Sequence, residues 1–426
     1  MAVDRHRVAE ALLAAAVFLL PWQTRWIFAQ PALAGASGSG TWEYGVLGLY
    51  AVEVLILVAV VAFGWKRIAA PLQAVRAPLA VLGGLLLVSA MVGAAPAVSF
   101  LFLLHAAVAV VLGLCVAASA QRERLVVAFM IGLLPAAALG WWQTLMGGNP
   151  PSTLLGLAAR AAETPGDAVV ETGARLLRAY GPFPHPNMFG AYLLAGILAA
   201  GWLGVRMQRG WRAVGNSALA VVFGATLVIT FSRSALLGFA AAALFAAAFA
   251  LRDPALRRNR AWPAAVGGLL AAALVFHAPL LSRADTSSRL ETTSVAERGA
   301  QYQEFTATFA HAPLFGTGPG AYTAALAQAF PDRPTYAYQP VHNALLLLLT
   351  EIGLAGLAAL AWVGKHAVAV LRASGAFMIS RRAVWIALAA FIPPALFDHY
   401  LWSSWAGLAL TAVIIALVYP RRNPVS

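Results

Sequence analysis

The chain has 426 residues, of which 61% are apolar and 11% charged, and its mean hydropathy of +0.77 excludes an ordinary soluble domain. The formal charge of +13 does not indicate a nucleic-acid partner, because the basic residues stand in small groups between apolar segments and form no continuous basic face. Cys115 is the sole cysteine, so no disulfide can form within the chain.

Apolar segments long enough to cross a membrane recur along the whole sequence. A hydrocarbon core about 30 Å thick requires roughly 20 mostly apolar residues per helix. We therefore predict an all-α integral membrane protein, a single polytopic domain over 1–426, whose first helix is retained. About twelve spans are predicted, near 8–24, 44–64, 78–95, 97–120, 125–146, 187–205, 213–231, 234–251, 262–280, 342–363, 383–397 and 403–419.

The distribution of basic residues predicts the orientation of the chain. With a cytoplasmic N-terminus, 20 of the 29 basic residues fall in short cytoplasmic segments, which is the usual orientation signal. Both termini are then cytoplasmic. The nine basic residues predicted to lie outside are all arginines: Arg25, Arg160, Arg175, Arg178, Arg233, Arg283, Arg289, Arg298 and Arg333. A set without lysine suggests a need for the planar guanidinium group, which can bind two phosphate oxygens at once.

Two external segments, 147–186 and 281–341, are too long to be simple connections, and we predict that they are functional loops. The first is compatible with either a short helix or a hairpin around Thr172-Gly173. The second carries aromatic residues at helical spacing, which predicts a short amphipathic helix lying on the membrane domain. These residues are Tyr302, Phe305 and Phe309.

His342 is the strongest local candidate for chemistry, because it places an imidazole at the external end of a predicted span. An imidazole with a reference pKa of about 6.5 can accept a proton near neutral pH, so a general base is one reading. The other reading is an interfacial histidine that caps or hydrogen-bonds the helix start. Glu351 lies nine residues further on and therefore on the opposite helix face, where it should pair with a neighbouring helix and not orient His342.

Arginines accompany the other polar motifs. Arg233 sits at an external hinge between two spans, where phosphate binding and snorkelling to the interface are both possible. Arg175 and Arg178 precede the Pro-rich turn Tyr180–Asn187, in which Asn187 is a plausible helix cap. Arg298 begins the amphipathic stretch. The glycines that follow this stretch at 316–320 lack the lysine and the strand-to-helix context of a phosphate loop and are predicted to form a turn.

Several kinds of site leave no trace in the sequence. No acidic pair at short spacing, no His/Cys cluster with metal-ligand spacing and no nucleophile elbow is visible. A metal site and a cofactor are therefore not predicted, and the candidate site consists of cations and one imidazole.

These motifs, in this order, resemble those of the O-antigen ligases and the related polymerases of bacterial surface polysaccharide. The resemblance covers about 175 to 355 and rests on Arg178 with Tyr180–Asn187, on Ser232-Arg233-Ser234, on Arg298 with 313–318, and on 342–353 from His342-Asn343 to Glu351-Ile352-Gly353. It implies a bacterial inner-membrane enzyme with a periplasmic active site that uses an undecaprenyl-diphosphate-linked O-antigen as donor.

The resemblance also implies residue roles. His342 corresponds to the proposed base, and Arg178, Arg233 and Arg298 to the arginines assigned to the diphosphate. Further contacts with the diphosphate or glycan are expected from Arg175, Arg289, Asn343, Tyr180 and His185.

The resemblance leaves the acceptor open. For a ligase the acceptor is lipid A-core, whereas a polymerase extends one lipid-linked glycan with another. The ordered His-Asn motif and the single large late loop favour a ligase. A lipid-linked oligosaccharide flippase is the alternative from another class, but it should carry charges along a path at mid-depth and often an internal repeat. Here the only clear acid in the middle of a predicted span is Glu53, and the predicted external arginines stay on one side.

Overall fold

The computed structural model describes residues 5–38, 40–171, 173–284, 289–373 and 377–418, and these are mostly helical. The helices are α1 Arg5–Leu19, α2 Ala51–Phe63, α3 Trp65–Ala69, α4 Arg76–Val92, α5 Pro96–Ala118, α6 Arg122–Met146, α7 Pro186–Gly204, α8 Gly210–Ile229, α9 Arg233–Ala250, α10 Pro254–Arg257, α11 Ala261–Val275, α12 His277–Ala284, α13 Arg289–His311, α14 Tyr322–Ala329, α15 Ala344–Ala373, α16 Phe377–Phe397, α17 Tyr400–Ser403 and α18 Trp405–Val418.

Six of the described helices are long and apolar enough to cross a membrane, and a seventh span is possible if a bent pair counts as one. The six are Pro96–Ala118, Arg122–Met146, Pro186–Gly204, Gly210–Ile229, Arg233–Ala250 and Ala344–Val370. Each of the twelve predicted segments contains a helix, but five of these helices have 13 to 17 residues, fewer than a full span: α1, α2, α4, α11 and α18. The protein is thus a multi-pass membrane protein, while the count of twelve spans stays a prediction.

The ninth predicted span, 262–280, differs from a straight helix. The chain from Pro254 to Val275 and the helix His277–Arg283 meet at 87°. Pro279 lies in the first turn of the second helix, and its nitrogen carries no hydrogen to donate to the preceding turn. The helix therefore ends before this proline and restarts in a new direction.

The contacts of the chain group into two compact units. Unit 1 comprises Met1–Thr24, Ser119–Thr292 and Met378–Pro394. Unit 2 comprises Arg25–Ala118, Thr293–Phe377 and Ala395–Ser426.

Small residues bring the helices of unit 1 close together. A Cβ atom on Gly224 of α8 would lie 2.2 Å from the carbonyl oxygen of Ala265 on α11, and one on Gly268 would lie 2.2 Å from that of Val221. No side chain fits at such distances, so glycine permits the two helix backbones to touch.

In unit 2, helix α15 is interrupted at Gly353, whose backbone is left-handed with a φ of 67°. The turn that follows α13 fills the interruption: Thr317 N–H donates to Thr350 O at 2.9 Å, and Leu354 N–H donates to Pro313 O at 2.9 Å. Exchange of backbone hydrogen bonds satisfies polar groups that a broken helix would otherwise leave unpaired in the membrane. The prediction that the glycine cluster forms a turn is confirmed, and the turn supports the break.

The loop 147–186 contains a hairpin and no helix among its described residues. Strands Val169–Glu171 and Arg175–Leu177 pair antiparallel, which confirms the hairpin alternative, although Thr172 itself lies outside the described residues. A second short pair joins Gly148–Asn149 to Arg160–Ala161.

In the segment 281–341, α13 confirms that Tyr302, Phe305 and Phe309 lie in a helix, and the rings of Phe305 and Phe309 stack with centroids 5.9 Å apart. With 23 residues this helix is not short, and its position on the membrane domain stays a prediction. Which side of the membrane holds the two loops stays a prediction. A hairpin between Arg25–Ala29 and Leu47–Tyr50 was not predicted; its first strand is exposed throughout, so no alternating pattern marks it.

Candidate functional site

His342 lies in unit 2, two residues before α15, and its closest polar partner is Gln301 of α13. The side-chain oxygen of Gln301 is 3.1 Å from the backbone nitrogen of His342 and 2.9 Å from its ring Nδ1. Both side chains are half-buried. One glutamine therefore holds both the backbone and the ring of His342.

This contact fixes the tautomer of the imidazole. A backbone N–H can only donate, so the atom of Gln301 that faces it must be the carboxamide oxygen. The same oxygen faces Nδ1, which must then carry the ring proton. A neutral imidazole has one N–H, so Nε2 keeps a lone pair. In the described part of the chain no group hydrogen-bonds to this nitrogen, which leaves it able to accept a proton.

The helix start is capped by the neighbouring residue. The side-chain oxygen of Asn343 accepts the backbone N–H groups of Leu345 and Leu346 at 3.0 and 3.1 Å. This is the usual arrangement of an N-cap. One interpretation of His342 was that it caps this helix, but the residue that caps α15 is Asn343.

A second imidazole, His399, stands beside His342 in the connection between α16 and α17. The two rings meet edge to face with centroids 5.3 Å apart. Nδ1 of His399 lies 2.7 Å from Ser403 Oγ, and the backbone N–H donates to Asp398 Oδ1 at 2.8 Å. Burial lowers the pKa of His399 to about 4; Asp398 opposes this shift, while the neighbouring His342 adds to it. His399 is therefore uncharged at neutral pH.

Glu351 is buried in the break of α15 and has its own set of partners. Its carboxylate accepts the backbone N–H groups of Gly320 and Tyr322 at 2.8 and 3.3 Å and the indole N–H of Trp402 at 2.6 Å. The prediction that Glu351 pairs with a neighbouring element and does not orient His342 is confirmed.

The sequence-predicted arginines fall in both units. Arg298 belongs to unit 2, half-buried on α13 and one helical turn before Gln301. Arg178 and Arg233 belong to unit 1. Arg289 begins α13 and is assigned to unit 1, and its side chain lies outside the described part of the structure.

Arg178 is buried and ties the first loop to the hinge before α9. Its Nε donates to Thr230 O at 2.8 Å, and its Nη2 donates to Asn187 Oδ1 at 2.7 Å. The prediction that Asn187 caps α7 is wrong: His185 is the N-cap, and its ring Nδ1 accepts the N–H of Asn187. The amide of Asn187 instead orients Arg178.

The hinge itself is strained. Phe231 is buried and has a φ of 48°, a left-handed conformation that costs a non-glycine residue on the order of 1–3 kcal/mol. Ser232 follows as the N-cap of α9, and half-buried Arg233 is its first residue. A guanidinium nitrogen of Arg233 lies 3.4 Å from the backbone oxygen of Arg283. The structure thus brings Arg178 and Arg233, two predicted site residues, to one hinge of unit 1.

The remaining predicted site residues belong to the first loop. Arg175 lies 4.0 Å from Glu171 across the hairpin. Tyr180 is buried, its oxygen accepts the N–H of Ala168 at 2.6 Å, and the guanidinium of Arg160 lies 4.4 Å from its ring centroid. Their contacts hold the loop together, and contact of Arg175, Tyr180 or His185 with a glycan stays a prediction.

Residues 218–361 match a protein family described as O-antigen ligase. The resemblance to the O-antigen ligases is confirmed. No curated protein matches the chain. The match supports an enzyme of the O-antigen ligase and polymerase superfamily, membrane-bound and glycosyltransferase-like, whose substrates are lipid-linked polysaccharides.

The O-antigen ligase match includes Arg233, Arg298, Gln301 and His342, and it ends before His399. Arg178 and the motif at 180–187 lie before the matched segment, and Arg178 is joined to that segment by its hydrogen bond to Thr230.

Two residues of the site were missed from the sequence. Gln301 lies within a polar helix that contains several such side chains, and nothing distinguishes it locally. The sequence did contain a signal for His399. It follows Asp398 in the short connection between two predicted spans, and like His342 it lies at the end of a predicted span. Among the described residues, no three His, Cys, Asp or Glu side chains are grouped so that they could hold a metal ion.

Proposed function

We propose that the protein is an O-antigen ligase that transfers a polysaccharide from undecaprenyl diphosphate to a sugar hydroxyl of lipid A-core. The site faces the periplasm of a bacterial inner membrane, and both termini are cytoplasmic. The observation that carries the proposal is the imidazole of His342, which lies in the matched segment with Nδ1 held by Gln301 and a lone pair on Nε2.

His342 is the general base of the reaction. Its Nε2 takes the proton of the acceptor hydroxyl while that oxygen attacks the anomeric carbon of the donor. The bond from this carbon to the diphosphate oxygen breaks, and undecaprenyl diphosphate leaves with the electron pair. Attack from the opposite face inverts the anomeric configuration. Gln301 contributes by fixing which nitrogen holds the lone pair.

The leaving diphosphate gains negative charge in the transition state, and arginines offset that charge. Arg178, Arg233 and Arg298 are assigned to this role, because guanidinium groups bind phosphate oxygens in pairs and need no metal ion for it. The bonds of Arg178 to Thr230 and Asn187 support the assignment, since a fixed guanidinium requires little reorganisation as charge develops.

The other predicted contacts, Arg175, Arg289, Asn343, Tyr180 and His185, complete the proposed site. Asn343 caps α15 next to His342, and Tyr180 accepts the N–H of Ala168, whose backbone oxygen accepts the N–H of Arg178. Arg175 and Arg289 add positive charge to the two loops, which suits a diphosphate or an acidic glycan.

Reconstitution tests the function directly. Purified protein in vesicles receives undecaprenyl-diphosphate-linked O-antigen with or without lipid A-core, and the products are identified by mass. A ligase yields glycan-bearing lipid A-core and releases undecaprenyl diphosphate. Longer lipid-linked glycan from donor alone would identify a polymerase, and donor that crosses the vesicle membrane unchanged would identify a flippase.

A further inference from the structure

Three separate chain segments converge beside His342 within unit 2. The ring of His399 lies between two others, with its centroid 5.3 Å from that of His342 and 6.0 Å from that of Tyr44. The hydroxyl of Tyr44 donates to Gln339 Oε1 at 2.9 Å, and Gln339 lies three residues before His342. All four side chains are half-buried, and the three beside His342, those of Tyr44, Gln339 and His399, are called the wall.

The wall is held in place by buried contacts behind it. Trp42, two residues before Tyr44, is buried and donates its indole N–H to Thr323 Oγ1 at 2.9 Å. Ser403 and the backbone bond to Asp398 fix His399. Such support is typical of a binding site, because ordered side chains lose little entropy when a ligand arrives.

The chemistry of the wall suits a hydroxyl-rich, uncharged ligand. A phenol, a carboxamide and a neutral imidazole each carry both a donor and an acceptor, as sugar hydroxyl groups do. Burial keeps His399 uncharged, with its pKa at about 4. Among the described contacts, no lysine or arginine bonds to the side chains of Tyr44, Gln339 or His399, and none of these three side chains is itself a cation of the kind that binds phosphate.

We propose that Tyr44, Gln339 and His399 form the subsite that binds the acceptor sugar and directs its hydroxyl to Nε2 of His342. This subsite rests on the proposed function, and it adds the residues that recognise the acceptor. Tyr44 and Gln339 bind hydroxyl groups beside the reacting one. The ring edge of His399 contacts the sugar next to His342. Because the imidazole of His399 is uncharged, it places no second positive charge beside His342.

The kinetic test compares Tyr44→Phe with Tyr336→Phe. Tyr336 is 78% exposed and lies three residues before Gln339. Tyr336→Phe therefore also removes one phenolic oxygen, but at a position outside the wall. With reconstituted protein and lipid A-core as the varied substrate, we expect Tyr44→Phe to raise the acceptor KM about fivefold, the size of one lost hydrogen bond. The donor KM should stay within about twofold, and Tyr336→Phe should match wild type within the same margin.

His399 is tested by a pair of variants that separates polarity from packing. His399→Gln keeps a donor and an acceptor and should retain more acceptor affinity than His399→Leu, which keeps only bulk. Monodisperse elution and an unchanged thermal midpoint establish that each variant is folded. Equal acceptor KM values for wild type, Tyr44→Phe and His399→Leu would overturn the subsite, even if ligation itself is observed.

A binding measurement makes the two proposals separable. Core oligosaccharide freed from lipid A is titrated, without donor, into protein in nanodiscs. We expect binding to wild type and Tyr336→Phe that weakens about fivefold in Tyr44→Phe. Such binding in a protein that transfers no glycan would support the subsite and overturn the ligase proposal. No dependence on Tyr44 in a protein that does ligate would overturn the subsite alone.

Discussion

The carboxamide oxygen of Gln301 accepts hydrogen bonds from both the backbone N–H and the Nδ1–H of His342, at 3.1 and 2.9 Å. The two residues are 41 positions apart. A single side chain from α13 thereby determines the tautomer of the candidate base.

Loss of the Gln301 oxygen should impair catalysis without removing the base. In Gln301→Leu the imidazole can place its proton on either nitrogen and can rotate, so we expect kcat to fall at least about tenfold. Gln303→Leu is the matched control, because Gln303 is an exposed glutamine on the same helix. The kcat of both variants is measured in a steady-state transfer assay. Equal kcat values would contradict the claim that Gln301 sets the catalytic tautomer of His342.

His342→Ala should abolish transfer and leave donor binding intact. Loss of a general base typically lowers a rate by about 10²–10⁴-fold. The control is His311→Ala, which changes an exposed histidine at the end of α13 and should behave like wild type. Single-turnover transfer and donor binding are measured together, with and without a chelator. Wild-type rates in His342→Ala, or loss of wild-type activity in the chelator, would contradict the proposed mechanism.

Lysine should not replace the diphosphate-binding arginines. Arg233→Lys and Arg298→Lys keep the charge and lose the planar fork, so we expect transfer at least about tenfold slower, equivalent to about 1.4 kcal/mol, with every acceptor. Arg209→Lys, in a predicted cytoplasmic connection, serves as the control. If both site variants keep the wild-type rate and donor affinity, these arginines do not bind the diphosphate through their geometry.

The orientation can be tested by labelling. Cys115 is buried and is first replaced by alanine, and one cysteine is then introduced at exposed Thr292 or at Leu251, which is 83% exposed. An impermeant thiol reagent should label Thr292→Cys in intact spheroplasts and Leu251→Cys only after lysis. The reverse pattern would invert the predicted topology.

His399 should make the folded state sensitive to acid. The folded protein keeps this imidazole uncharged down to a pKa of about 4, whereas the unfolded chain protonates it near its usual pKa of 6.5. Between these values the unfolded state binds more protons, so stability falls as the pH is lowered through this window. Thermal midpoints of detergent-solubilised protein at about pH 7 and about pH 5 should therefore differ more for wild type than for His399→Gln. Equal differences would show that His399 titrates alike in both states.

Hydropathy and residue spacing determined where helices form, because the cost of exposing apolar or backbone groups to the wrong solvent is a local property of a segment. The same local logic singled out His342 at the end of an apolar run. Partners distant along the chain were decided only by tertiary structure. Gln301 and His399 meet His342 from different segments, and Arg178 reaches Thr230 across 52 residues. A hydrogen bond of this kind depends on the packing of whole helices, which no local pattern encodes.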